Sequence, residues 1–161
     1  MSKEIKLTAD ELALMSVFQT VTGVRPVHCV LEDNNVFFLV DENDFPKMIA
    51  EARHLSSFQR GKVRSVDKII KELCKELSRT LRKNIFIIKF ANDPERFLRN
   101  FFMLRKDEAV EFHNRGGNRK YAVIRVQPRR KGFVIGRGGF RAKVGRELAR
   151  KYFDLETVLI R

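Results

Sequence analysis

The residues of this chain best suited to chemistry are glycines and the cations around them, in the run Lys131-Gly132-Phe133-Val134-Ile135-Gly136-Arg137-Gly138-Gly139-Phe140-Arg141-Ala142-Lys143. Gly136, Gly138 and Gly139 are broken only by Arg137. Glycine reaches positive φ and has no Cβ, so such a turn lets backbone N–H groups approach a ligand closely. Cations on both flanks make the expected ligand an anion. A triphosphate-binding loop needs G-x-x-x-x-G-K-[ST], and no Gly-Lys-Ser or Gly-Lys-Thr occurs in the stretch. A dinucleotide fingerprint needs G-x-G-x-x-G. Gly136 and Gly138 begin it, but Arg141 stands where the third glycine belongs. What remains is Ile-Gly-x-x-Gly, from Ile135 to Gly139, expected to join two helices.

The charge supports an anionic partner. The chain has 161 residues and a net charge of +13. Residues 1–91 hold 15 Lys/Arg against 12 Asp/Glu, a net +3, whereas residues 92–161 hold 18 against 8, a net +10. Between Tyr121 and Lys151 the only acid is Glu147. A cluster this one-sided points to a polyanion more than to a merely soluble surface. No apolar run approaches the roughly 20 residues of a spanning helix, and Met1 to Lys6 lacks the apolar core of a secretory signal. No membrane partner is expected, and the expected location is cytoplasmic. Cys29 and Cys74 are isolated and read as small core residues, since a reducing cytosol disfavours a disulfide. His28-Cys29 has no second ligand cluster, so no metal and no cofactor are expected. His28, His54 and His113 lack a paired nucleophile or carboxylate, so no enzyme is expected.

The elements that would position the loop follow from local signals. Thr8 and Glu11 read as a capping box before a helix that ends at Gly23. Arg25–Leu31 and Val36–Val40 read as a hairpin around Glu32-Asp33-Asn34-Asn35. A helix starts near Phe45-Pro46, a polar linker spans His54 to Lys62, and Ser65 caps a helix whose apolar face runs from Val66 to Leu81. Ile85–Phe90 is a strand. The second half opens on Asp93-Pro94-Glu95, a cap followed by proline at the first helical position. Strands at Ala109–His113 and Tyr121–Val126 follow, with a turn at Gly116-Gly117. Pro128 then starts a short helix, the glycine loop follows, and a helix bearing Ala142, Gly145, Leu148, Ala149 and Tyr152 on one face leads to a strand at Leu155–Ile160. Both halves read helix-strand-strand-helix-helix-strand, the mark of a tandem module. The expected class is α+β, with two three-stranded sheets covered by helices and domains at 1–91 and 92–161.

This order, with Ile135-Gly136-Arg137-Gly138-Gly139 between the central helices, resembles a type II KH domain, whose G-x-x-G loop clamps the backbone of about four nucleotides. More specifically, the chain resembles the short archaeal NusA proteins, which consist of two tandem KH domains. The likeness rests on Leu7 to Arg25, Val27-His28-Cys29-Val30, Asp93-Pro94-Glu95-Arg96-Phe97 and Lys131 to Gly136. It implies a monomeric transcription factor that binds nascent single-stranded RNA, influences elongation or termination, and has RNA polymerase as a further partner. On that reading Gly136, Gly138 and Gly139 admit the sugar-phosphate backbone, and Arg137 meets a phosphate or base edge. Arg129, Arg130, Lys131, Arg141 and Lys143 add charge with little sequence information. Val134 and Ile135 are either walls of a base groove or ordinary core. Tyr121 and Phe140 are core or rim aromatics, with base stacking as the alternative. The first half departs from the pattern. Register places Ala50-Glu51-Ala52-Arg53 at its loop and helix order places Gln59-Arg60-Gly61-Lys62 there, and neither is G-x-x-G. The first domain is therefore expected to be degenerate. The rival reading is a protein-binding module that docks on an acidic polymerase or ribosomal surface, with the RNA loop vestigial.

Overall fold

The computed structural model describes residues 8–52 and 65–161. The expected linker at His54–Lys62, the loop candidate at Gln59–Lys62 and Arg53 lie outside them. The chain divides into two compact units that part between Phe90 and Ala91.

The first unit runs α1 (Ala9–Thr22), β1 (His28–Glu32), β2 (Asn35–Asp41), α2 (Phe45–Ala52), α3 (Val66–Leu81) and β3 (Asn84–Phe90). Local chemistry sets the ends. The Thr8 hydroxyl oxygen accepts from the Glu11 N–H at 3.1 Å, and Gly23 ends α1 in the left-handed region at φ 77°. The Ser65 side chain accepts from Lys68 N–H at the start of α3. β1 and β2 pair antiparallel, and β2 and β3 pair parallel, in the order β1-β2-β3. β1 begins at His28, later than Arg25, although the Val27 N–H still donates to Leu39 O at 2.7 Å. The core gathers Phe18 stacked on Phe38, 4.5 Å between centroids, with Met48, Ile69, Leu73 and Leu77. Burial raises the Cys29 thiol to about 12 and the Cys74 thiol to about 11, so neither is a ready nucleophile.

The second unit repeats the scheme with α4 (Pro94–Phe101), β4 (Ala109–Asn114), β5 (Lys120–Arg125), α5 (Pro128–Ile135), α6 (Phe140–Phe153) and β6 (Leu155–Ile160). Its sheet order is β4-β5-β6, antiparallel then parallel. Asp93 caps α4 by accepting from Arg96 N–H at 2.9 Å. Phe97, Leu98, Phe101, Phe102, Val144 and Leu148 are buried. A Cβ on Gly145 would run into the Phe102 ring, so only glycine lets α6 settle onto that aromatic pair. Tandem α+β units with three-stranded sheets and covering helices are the expected fold class.

Candidate nucleic-acid interface

The glycine loop joins α5 to α6. Pro128 starts α5 at a position where no N–H is needed. The helix closes with the Gly136 N–H on Gly132 O at 3.0 Å. Gly136 turns out of the helix at φ 84°, and Arg137–Gly139 form a single 3-10 turn. Gly138 lies at φ 66° and Gly139 at φ 78°, directly before α6.

The three glycines serve different ends. A Cβ on Gly136 would sit 2.8 Å from the Phe140 ring and 3.0 Å from Arg141 N, so this glycine answers an internal demand. Gly138 and Gly139 have nothing within 4 Å of a Cβ. The space that a side chain would fill is therefore open at both positions. Gly139 is the N-cap of α6 and brings no side chain to the first turn. A 14-residue helix therefore presents its positive end at the loop with no side-chain cap, while the Gly139 and Phe140 N–H groups donate to Gly136 O and Arg137 O within the 3-10 turn. Arg137 is exposed mid-turn.

The cations around the loop fall into two groups. Arg129, Arg137 and Lys143 are exposed and Lys131 is half-buried. Arg130 and Arg141 are structural. Arg130 forks onto Glu108 with Nη2 to Oε1 at 2.8 Å and Nε to Oε2 at 3.2 Å, and it also donates to Met103 O at 3.0 Å. Glu108 is 3% exposed. The Arg130 hydrogen bond holds its carboxyl below the usual range, aided by the Arg105 N–H. Arg141 is 7% exposed and donates to Phe133 O. Burial, then the nearby Arg130 charge, lowers its pKa.

Both arginines serve Phe133. Their guanidinium carbons lie 4.9 Å (Arg130) and 4.5 Å (Arg141) from its ring centroid. The ring is nonetheless 43% exposed. Phe133 is thus a solvent-facing aromatic held beside the loop, and it was missed in the sequence because it reads there as part of an apolar triplet. Its signal was the i−3 spacing from Gly136. Val134 is fully buried, which favours ordinary core over a wall of a base groove, the two readings left open for it: it is the one buried side chain of α5. Ile135 is half-buried, and Phe140 is a rim residue packed toward Gly136 and Arg141. Arg146 and Arg150 lie further along α6. They reach across to β6, donating to Val158 O at 3.0 Å and Glu156 O at 3.4 Å. The first unit differs at the matching place: Ala50, Glu51 and Ala52 form the last turn of α2.

Among the described residues no group of His, Cys, Asp and Glu is placed to hold a metal, and no helix is long and apolar enough to cross a membrane.

No family model matches the chain. It is 22% identical over 158 residues to the probable transcription termination protein NusA of Thermoplasma acidophilum, a match covering 98% of this chain and 96% of that one. It is 25% identical over 136 residues to the protein of the same name from Methanocaldococcus jannaschii, covering 84% of this chain and 64% of that one. The crystal structure of APE1850 matches 96% of this chain and 100% of its own, at a TM-score of 0.66 and 32% sequence identity.

Proposed function

Because the chain belongs to the archaeal NusA-like family of tandem KH proteins, we propose that it is a transcription factor that binds nascent single-stranded RNA through the glycine loop of its second unit, and so influences elongation or termination. The observation that carries this reading is the open space where side chains would stand at Gly138 and Gly139, both at positive φ, before the N-terminus of α6, which has no side-chain cap. A phosphate accepts from first-turn N–H groups there, and Arg137 reaches it from the turn. Arg129, Lys131 and Lys143 hold the backbone through charge, without reading sequence. Phe133 offers a ring on which a base stacks, while Arg130 and Arg141 keep that ring in place. Ile135 borders the same surface. Val134 is core and takes no part in contact.

Replacing both Arg137 and Gly138 with Asp tests this. Aspartate tolerates the left-handed conformation better than most residues, so the fold is expected to survive. RNA affinity, measured by anisotropy, is expected to fall more than a hundredfold. Undiminished affinity with native circular dichroism removes the loop from the mechanism. A complex with polymerase that survives ribonuclease and this substitution would favour protein docking instead.

A further inference from the structure

A second arrangement of rings and cations lies on the sheet of the second unit. Successive strand residues alternate between faces, so the pairing of β4 with β5 puts Glu111, His113, Tyr121 and Arg125 on one face. His113 and Tyr121 stack across the strands, with centroids 5.3 Å apart and planes 20° apart. The Arg115 guanidinium carbon lies 4.8 Å from the Tyr121 centroid. The turn beside them is thin: Gly116 and Gly117 have φ of 99° and 60°, and a Cβ on either would meet nothing. His113, Arg115, Arg119 and Lys120 are exposed, and Tyr121 is half-buried. The only acid between Ala109 and Arg125 is Glu111. It is already engaged, with Arg125 Nε at 2.8 Å and His113 Nε2 at 3.2 Å.

A cross-strand ring pair steadies a sheet without needing cations around it. Here the pair carries the Arg115 guanidinium over the Tyr121 ring, and His113 and Arg115 are open to solvent. A base of any kind stacks on such a ring, and arginine and lysine beside it meet the phosphates. The site is separate from the glycine loop. Asn118 and Arg119 share an open cavity of about 560 Å³ with Arg150, Asp154, Leu155 and Glu156, at the C-terminal end of α6. The loop is at the other end of that helix, about 20 Å away at 1.5 Å per residue.

We infer that His113, Tyr121 and Arg115 form a second stacking platform, which takes nucleotides of a single strand beyond those held at the glycine loop. This rests on the RNA-binding reading above. The test uses the full chain and two fluorescein-labelled pools of randomised oligoribonucleotides, 4 and 12 nucleotides long by design. The double variant His113→Ala/Tyr121→Leu is expected to bind the longer pool about tenfold more weakly and the shorter pool unchanged. Gly138→Asp is expected to weaken both. Unchanged affinity of the double variant for the longer pool overturns the inference, and so does an equal loss on both pools. If Gly138→Asp leaves both pools bound while the double variant weakens only the longer one, the loop reading fails and the platform stands. If the double variant does not fold, Arg115→Ala decides. It removes only the cation over the ring and is expected to cost about threefold on the longer pool alone. Full affinity of Arg115→Ala for that pool overturns the platform.

Discussion

The two helices that follow the central strand of each sheet are a controlled comparison. α2 and α5 are each eight residues long, and each carries proline in its first turn. α2 buries Phe45, Met48, Ile49 and Ala52. α5 buries only Val134. The first is held by an apolar stripe and stays helical through Ala52. The second is held at one apolar point and by the Arg130 fork onto Glu108, and it breaks into glycine. A helix fastened by a fork keeps its other cations, its Phe133 ring and its glycine end on the surface. A helix fastened by its apolar face has little left to offer a ligand. The same element order therefore serves packing in one unit and leaves a binding surface in the other.

Making the second unit resemble the first is the sharpest challenge to this comparison. Gly136→Ala puts alanine where α2 continues smoothly, but at φ 84° and against the Phe140 ring. The expected cost is about 3 kcal/mol, from left-handed strain plus overpacking. Gly138→Ala meets no neighbour and is expected to cost about 1 kcal/mol. Equal costs in urea unfolding would show that the glycines are not divided into internal and ligand-facing.

Removing the fork should have the next largest effect. Arg130→Ala leaves the buried Glu108 without its main partner and is expected to destabilise the second unit by about 2 kcal/mol. The same pair sets an acid sensitivity. The folded-state pKa of Glu108 is lowered, so its contribution is present above the ordinary glutamate value of 4.5 and lost as pH falls below it. Glu108→Gln is expected to flatten stability against pH between about 5 and 3. An unchanged acid limb would mean that the fork does not fasten α5.

The smallest effect concerns charge alone. Reversing Arg129 and Lys131 to Glu on α5 is expected to weaken RNA binding about tenfold and to flatten its salt dependence. Reversing Lys47 on α2 should change affinity less than about twofold. Comparable losses would place the first unit in the RNA interface as well.

The sequence by itself determined the elements, their order and the loop. Thr8, Ser65 and Asp93 cap helices through bonds to an N–H three residues on, and these signals are complete within one turn of chain. The positive φ at Gly138 and Gly139 is likewise a property of residue type. Tertiary structure decided which of the neighbouring cations remain available. Arg130 meets Glu108 from 22 positions away, and Arg141 turns back beneath Phe133, so both read in the chain as more surface charge. Val134 and Phe133 are adjacent and apolar, yet one is sealed in the core and the other stands in solvent between two guanidinium groups. His113 and Tyr121 meet only because a hairpin sets their register. Caps and glycine turns depend on contacts within a few bonds, which the chain spells out, whereas ion pairs and ring stacks depend on where the fold brings distant segments together.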